Sequence, residues 1–271
     1  MKRMLPSLLI LAGTYTVPLH TTHADLIANW KQLNAANSTA TANLNTDGPT
    51  FGDGSNANAQ SAFMAGRFGT VATPVTVNLA LGQTLTVSGE LVLTGGAGTD
   101  SGFRFGVYND GGQFDLDDPN NWTGGWTHQA SSDLFQGRTD GAYVSTQGNA
   151  VDLNATKTST GTLNKNSAIP LLWSISVTRS GAGTVDLASS FTGGGGNLDQ
   201  QYNIDNVATA NFTYTSAGLL FGGGSSVDQA VFSNVQFNVI PEPSSFALLL
   251  LGLAALRMHT RRMIRLHSPT K

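Results

Sequence analysis

Apolar and polar positions alternate with a period of two over much of this chain, the mark of a strand with one buried face. The clearest stretches are Thr76-Val77-Asn78-Leu79 and Thr84 to Leu93, separated by the turn Leu81-Gly82-Gln83. The same reading expects strands over 102–108, 142–146, 169–179, 184–191, 211–221 and 229–239. A first strand over 25–31 would put Ile27 and Trp30 in the core. Glycine clusters at 95–96, 111–112, 193–196 and 222–224 fall between these stretches, where turns need permissive backbone. Many short strands joined by such turns predict an all-β chain, folded as one antiparallel β-sandwich or jelly roll. Residues 35–58 read as a polar excursion without periodicity, and 109–141 as a long loop.

Both ends depart from the strand pattern. Lys2 and Arg3 precede a mostly apolar run from Leu5 to Val17, and Thr22-His23-Ala24 is a small-x-small site before Asp25. That arrangement predicts a secretory signal peptide over 1–24, forming a signal helix, with cleavage between Ala24 and Asp25. At the other end Pro241-Glu242-Pro243 is followed by eleven apolar or small residues, Phe246 to Leu256, and then by Arg257, Arg261, Arg262 and Arg265. A helix over 246–256 would span about 16 Å, roughly half of the ~30 Å hydrocarbon core. Arginines snorkelling to the headgroups extend its reach, and their charge orients the preceding chain away from the cytoplasm.

Val239 to Arg257, read as Val-Ile-Pro-Glu-Pro-Ser-Ser-Phe-Ala-Leu-Leu-Leu-Leu-Gly-Leu-Ala-Ala-Leu-Arg, resembles the PEP-CTERM sorting signal of bacterial exported proteins. The resemblance covers 239 to about 265 and rests on the combination of Pro-Glu-Pro, serine, a glycine within the apolar run and the arginine cluster. It implies export, membrane retention, and processing by an exosortase that recognises Pro241, Glu242 and Pro243. It also implies association with extracellular polysaccharide, biofilm matrix or the cell surface. Residues 266–271 would form a basic cytoplasmic end, longer than the usual stub. Phe103-Arg104-Phe105-Gly106-Val107-Tyr108-Asn109-Asp110-Gly111-Gly112, coming after the strand over 85–93, resembles part of a concanavalin-like jelly roll. The expected organisation is therefore a signal peptide, a sandwich over 25–238, and a sorting signal over 239–265.

Charge changes the picture of the body. The whole chain has a formal net charge of −3, but residues 25–240 hold sixteen acids against seven bases, a net charge of −9. An acidic body lacks the basic patch that nucleic acid requires. There is no cysteine, which excludes disulfides, thiol catalysis and cysteine-held metals. His128 is the sole histidine of the body and Glu90 its sole glutamate. Glycoside hydrolysis generally needs two placed carboxylates, and serine hydrolysis needs a base beside its nucleophile. Neither Glu-x-Asp-x-x-Glu nor Gly-x-Ser-x-Gly occurs, so a non-catalytic body is expected.

Candidate chemistry then concentrates in 109–141. Asp115, Asp117 and Asp118 could supply calcium with oxygen ligands, of which the ion takes six to eight; the alternative is a solvated acidic loop. Trp122 and Trp126 could offer sugars an aromatic platform; the alternative is that they anchor the loop over the sandwich. His128 reads as a loop hydrogen-bonder and Trp173 as core. The expected function is an exported surface or matrix protein sorted by its tail, the alternative a carbohydrate-binding module with an optional calcium ion.

Overall fold

The computed structural model describes residues 24–33, 43–44, 47–52, 62–70, 72–95, 103–114, 122, 124–129, 134–138, 150–164, 167–221 and 227–241. Regular structure among them is entirely β. In chain order the strands are β1 (Asp25–Leu26), β2 (Asn29–Leu33), β3 (Asn43–Leu44), β4 (Pro49–Phe51), β5 (Ala62–Arg67), β6 (Val77–Asn78), β7 (Thr84–Thr94), β8 (Phe103–Tyr108) and β9 (Gly125–Gln129). They continue with β10 (Leu134–Arg138), β11 (Ala150–Asn154), β12 (Thr156–Thr160), β13 (Leu171–Arg179), β14 (Thr184–Gly193), β15 (Leu198–Ala208), β16 (Thr213–Tyr214), β17 (Ser216–Phe221) and β18 (Gln229–Ile240).

Two antiparallel sheets face each other. One runs β12-β15-β14-β13-β7-β18-β4-β3, with β1 also on β18; the other runs β11-β10-β9-β8-β17-β5-β2. A small third sheet pairs β16 with β6. The chain crosses between the two large sheets at Ala155, between β11 and β12.

Alternation decides which way each strand faces. β7, β13 and β14 carry buried residues at every second position, so Leu85, Val87, Leu91 and Leu93, then Leu171, Trp173, Ile175 and Val177, then Val185, Leu187 and Phe191 point inward. The inward side chains interlock: Phe105 of β8 packs on Trp173 and Phe191 from the other sheet at centroid distances of 5.1 and 5.0 Å. Full burial of such a ring contributes about 1.5–3 kcal/mol through area alone. Opposite Trp173 in the register lies Gly89, where a Cβ would stand 3.1 Å from the indole. Glycine there lets the ring lie across the sheet. Many outward positions of the same strands are small and polar, and six of them are tied in pairs across the register by Thr84–Thr178, Thr86–Ser176 and Ser174–Ser190 hydroxyl bonds of 2.7–2.8 Å.

The expected sandwich is present, with Ile27, Trp30 and Trp173 buried as anticipated. Two expectations are corrected. The segment 109–141 is not one long loop, because it contains β9 and β10. His128 therefore lies on a strand, fully buried among Phe105, Phe135 and Tyr202, with its Nδ1 hydrogen-bonded to Ser189 Oγ of the facing sheet at 3.0 Å. The last strand, expected over 229–239, runs to Ile240, directly before Pro241. The expected strand over 142–146, the signal segment up to residue 23 and the membrane helix over 246–256 lie outside the described residues. Among the described residues no helix is long and apolar enough to cross a membrane.

Candidate functional site

A cleft of about 750 Å³ opens where one end of β15 faces β9, β10 and β11 of the other sheet. Its floor is apolar. Trp126 of β9, Leu153 of β11, and Ile204 and Val207 of β15 all contribute, and Gly137 of β10 leaves room for the indole. A Cβ at Gly137 would approach Trp126 Cζ3 to 2.6 Å, so this register position requires glycine if the ring is to lie flat against the strand.

The rim is polar and has a structural cause. Between Val185 and Leu187 the pairing of β14 with β15 shifts register: Val185 pairs with Val207 but Leu187 with Ile204, so Asp205 and Asn206 share the place opposite Asp186. This is a β-bulge, a device that bends a strand and re-aims its side chains. Asn206 takes φ 57°, in the left-handed region that asparagine tolerates better than most residues. Its backbone N–H donates to Asp186 Oδ1 at 2.7 Å, which holds the bulge. Asp205 and Asn206 consequently stand exposed at the rim.

The remaining rim comes from Asn109 and the turn that leads into β16. Within it the Asn211 N–H donates to Thr209 Oγ1 at 3.0 Å, and Asn211 Oδ1 accepts from the Thr213 N–H at 3.1 Å. Asn211 Nδ2 is buried without a hydrogen-bond partner among the described residues. A buried donor left unmade costs about 1–3 kcal/mol. The indole N–H of Trp126 donates to Tyr214 Oη at 3.0 Å, and that hydroxyl donates in turn to the Asn211 carbonyl at 3.4 Å. Burial pushes the Tyr214 hydroxyl well above the ordinary tyrosine range, partly offset by the Trp126 hydrogen bond, and so keeps it a neutral donor. The ring of Trp126 is thereby fixed to the turn that carries Asn211.

The two tryptophans named from sequence do not form one platform. Both are buried, but Trp126, 6% exposed, lines the cleft, whereas Trp122 packs on the opposite face of the same sheet, enclosed by Phe63, Tyr108 and Phe114. Trp122 presents no open face to a sugar. Asp115, Asp117 and Asp118 lie outside the described residues, as do Glu242, Pro243, Arg257, Arg261 and Arg262. Ala24 and Asp25 are exposed, and Asp25 pairs with Phe237 four residues before Pro241, so the two ends of the sandwich's chain emerge side by side. Among the described residues no three of His, Cys, Asp or Glu group closely enough to hold a metal. Glu90 borders a separate hollow of about 260 Å³ on the outer face of the nine-stranded sheet, with Ser88, Leu172, Ser174, Ser190 and Gln236.

Sequence reading missed Asp205, Asn206 and Asn211. The available signal was the run Asn203-Ile204-Asp205-Asn206-Val207, where alternation breaks at asparagine, a residue suited to a bulge.

No family model matches the chain, and no curated relative matches it. Among solved structures it is similar in outline to the lectin from Bauhinia forficata in complex with GalNAc, at 10% identity and a TM-score of 0.44 over 81% of this chain and 99% of that one. A legume lectin-like domain from Entamoeba histolytica aligns at 10% identity and a TM-score of 0.41, over 78% of this chain and 89% of that one. An endo-1,3-β-glucanase from Streptomyces sioyaensis aligns at 13% identity and a TM-score of 0.35, over 79% and 90%.

Proposed function

We propose that this chain is an exported, glycan-binding β-sandwich held at the cell surface through its C-terminal tail. One observation carries the binding reading: an apolar cleft floored by a hydrogen-bonded tryptophan and rimmed by Asp205, Asn206 and Asn211. Sugars present apolar faces of C–H groups edged by hydroxyls, and such a site matches both, the ring by contact and the amides and carboxylate by hydrogen bonds. Among the described residues of the cleft's lining Asp205 is the one carboxylate, which favours binding over a two-carboxylate hydrolysis. The body's charge of −9 favours a neutral polymer over an anionic one. Export and tethering are supported by the sequence of residues 1–24 and 239–265.

Isothermal titration of the chain with neutral and uronic polysaccharides, after a glycan-array survey, tests the binding reading. Asp205→Ala and Asn206→Gly remove rim groups without entering the core, and glycine retains access to the left-handed backbone. We expect each to weaken binding about tenfold, the loss of roughly one good hydrogen bond, with the melting temperature little changed. Wild-type protein that binds no glycan, or variants that bind as well as wild type, would overturn it. Mass spectrometry of the exported protein tests the sorting: a C-terminus still carrying Arg265 argues against processing.

A further inference from the structure

From Phe68 to Gly89 the chain runs for 22 residues without an ionisable side chain, although 70, 72–76, 78, 80 and 81 within it are exposed. An exposed excursion of an acidic domain is ordinarily where charge collects; here Thr, Val, Ala, Pro, Asn and Leu take those places. The pairing locates this stretch. Ile240, the last residue of β18, pairs with Thr84, and Thr84 pairs with Thr178. The Leu81 turn is held there by the Gly82 N–H donating to the Arg179 carbonyl at 2.7 Å. Phe68 stacks on Phe237 at 4.4 Å, and the Val75 N–H donates to the Phe68 carbonyl at 2.9 Å. The charge-free segment therefore surrounds the point where the chain leaves the sandwich.

Exposed aliphatics gather at the same end. Six large hydrophobics are exposed among the described residues, and four of them, Leu26 at 53%, Val75 at 38%, Leu81 at 64% and Ile240 at 44%, lie on this end or on the adjoining edge strand. Ile169, 61% exposed, lies at the opposite end, in the turn before β13. Charge nearby is sparse and partly engaged. Arg179 is occupied by the Leu79 carbonyl at 2.9 Å and the Phe212 ring at 3.9 Å, and Asp186, opposite Thr178, accepts from the Asn206 N–H at 2.7 Å, while Asp205 at the cleft rim and Asp25 on the edge are exposed. β18 ends at Ile240, and in the sequence Pro241-Glu242-Pro243-Ser244-Ser245 stand between it and the apolar run that begins at Phe246.

We propose that this end of the sandwich is a lipid-facing surface, with Val75, Leu81 and Ile240 entering the headgroup boundary of the bilayer that the tail occupies. The proposal rests on the tail reading above and adds an orientation to it. A tail fused to the last strand holds the domain at the membrane, and a charge-free rim with exposed aliphatics can enter the interface without desolvating ions. The turn at the cleft, Thr209 to Thr213, adjoins this end through the pairing of β16 with β6, so a ligand in the cleft would be held close to the bilayer.

The absence of cysteine makes the test direct. Leu81→Cys, Val75→Cys and, as control, Ile169→Cys each give the full chain a single thiol for an environment-sensitive fluorophore. Each is reconstituted into phosphatidylcholine vesicles with or without nitroxide-bearing lipid. We expect severalfold stronger quenching at 81 and 75 than at 169. Vesicle-floating protein with equal or no quenching at the three positions overturns the orientation and leaves the tail reading standing. Labels at 81 and 75 that are shielded from an aqueous quencher yet untouched by the lipid quencher would mean that the tail itself or a second copy covers the rim, which also overturns it. Protein that does not float with vesicles overturns both.

Discussion

Trp122 and Trp126 are four residues apart, yet they end on opposite faces of one sheet. Trp126 lies within β9, where register sends it inward, beside Gly137 and into the cleft. Trp122 precedes the strand and folds back over the outside, where Phe63, Tyr108 and Phe114 enclose it. Arg67 completes this outer cluster, lying 4.6 Å over the Phe114 ring and 3.7 Å from the buried carboxylate of Asp110. The difference teaches what each face is for. The inner face belongs to the common core of both sheets and, among the described residues, opens at the cleft. The outer face carries a satellite core of seven buried residues, sealed in part by the segment that leads into β9.

If that division is real, truncations on the two faces must differ in kind as well as size. Phe105→Ala removes the inner ring that touches Trp173, Phe191 and His128, and should cost about 3–5 kcal/mol, with the whole sandwich unfolding cooperatively at lower urea. Trp122→Ala removes the central ring of the outer cluster and should cost about 3 kcal/mol, the low end for such truncations. Hydrogen exchange distinguishes the two. Protection should fall locally at 109–114 and 124–125 for Trp122→Ala, with β13 and β14 unchanged. A Trp122→Ala protein that loses protection everywhere, or costs more than Phe105→Ala, would show that the outer cluster is not a satellite.

Alternation made the main strands legible, because β7, β13 and β14 have one face in the core and one in water, and Leu85, Val87, Ile175 and Leu187 recur at every second place. β15 was hidden by the same logic. Its outward residues lie beneath no second layer, its inward positions are Leu198, Gln200, Tyr202, Ile204 and Val207 with a polar residue among them, and the bulge at Asp205-Asn206 breaks the period that would have revealed it. β5 was hidden by composition, since Ala62-Phe63-Met64-Ala65-Gly66-Arg67 is apolar on both faces. It is covered inside by Ile27 and Trp30 and outside by Trp122. The cleft was illegible because its parts are distant in sequence: Trp126, Leu153 and Asn206 meet only through the packing of two sheets. Aromatic residues could be picked out as notable, but a sequence does not say on which side of a strand's first residue an indole will turn.

Tyr214→Phe sharpens the comparison with the smallest expected effect, because it disturbs the anchoring of Trp126 while leaving Trp122 untouched. The variant removes the acceptor of the indole N–H and the donor to the Asn211 carbonyl, both inside the cleft wall. Leaving the buried N–H without a partner should cost about 1–3 kcal/mol at neutral pH. The pH dependence supplies the distinguishing sign. Burial raises the folded-state pKa of Tyr214 above its ordinary value, so the unfolded chain releases this proton first. Its contribution is complete below about pH 10, the ordinary tyrosine value, and declines as pH rises beyond it, by up to about 1.4 kcal/mol per pH unit. Urea unfolding of wild type between neutral and strongly alkaline pH should therefore lose stability more steeply than Tyr214→Phe does, by as much as one proton's slope. Parallel curves would mean that Tyr214 ionises as readily folded as unfolded, and that its hydroxyl does not hold the wall of the cleft.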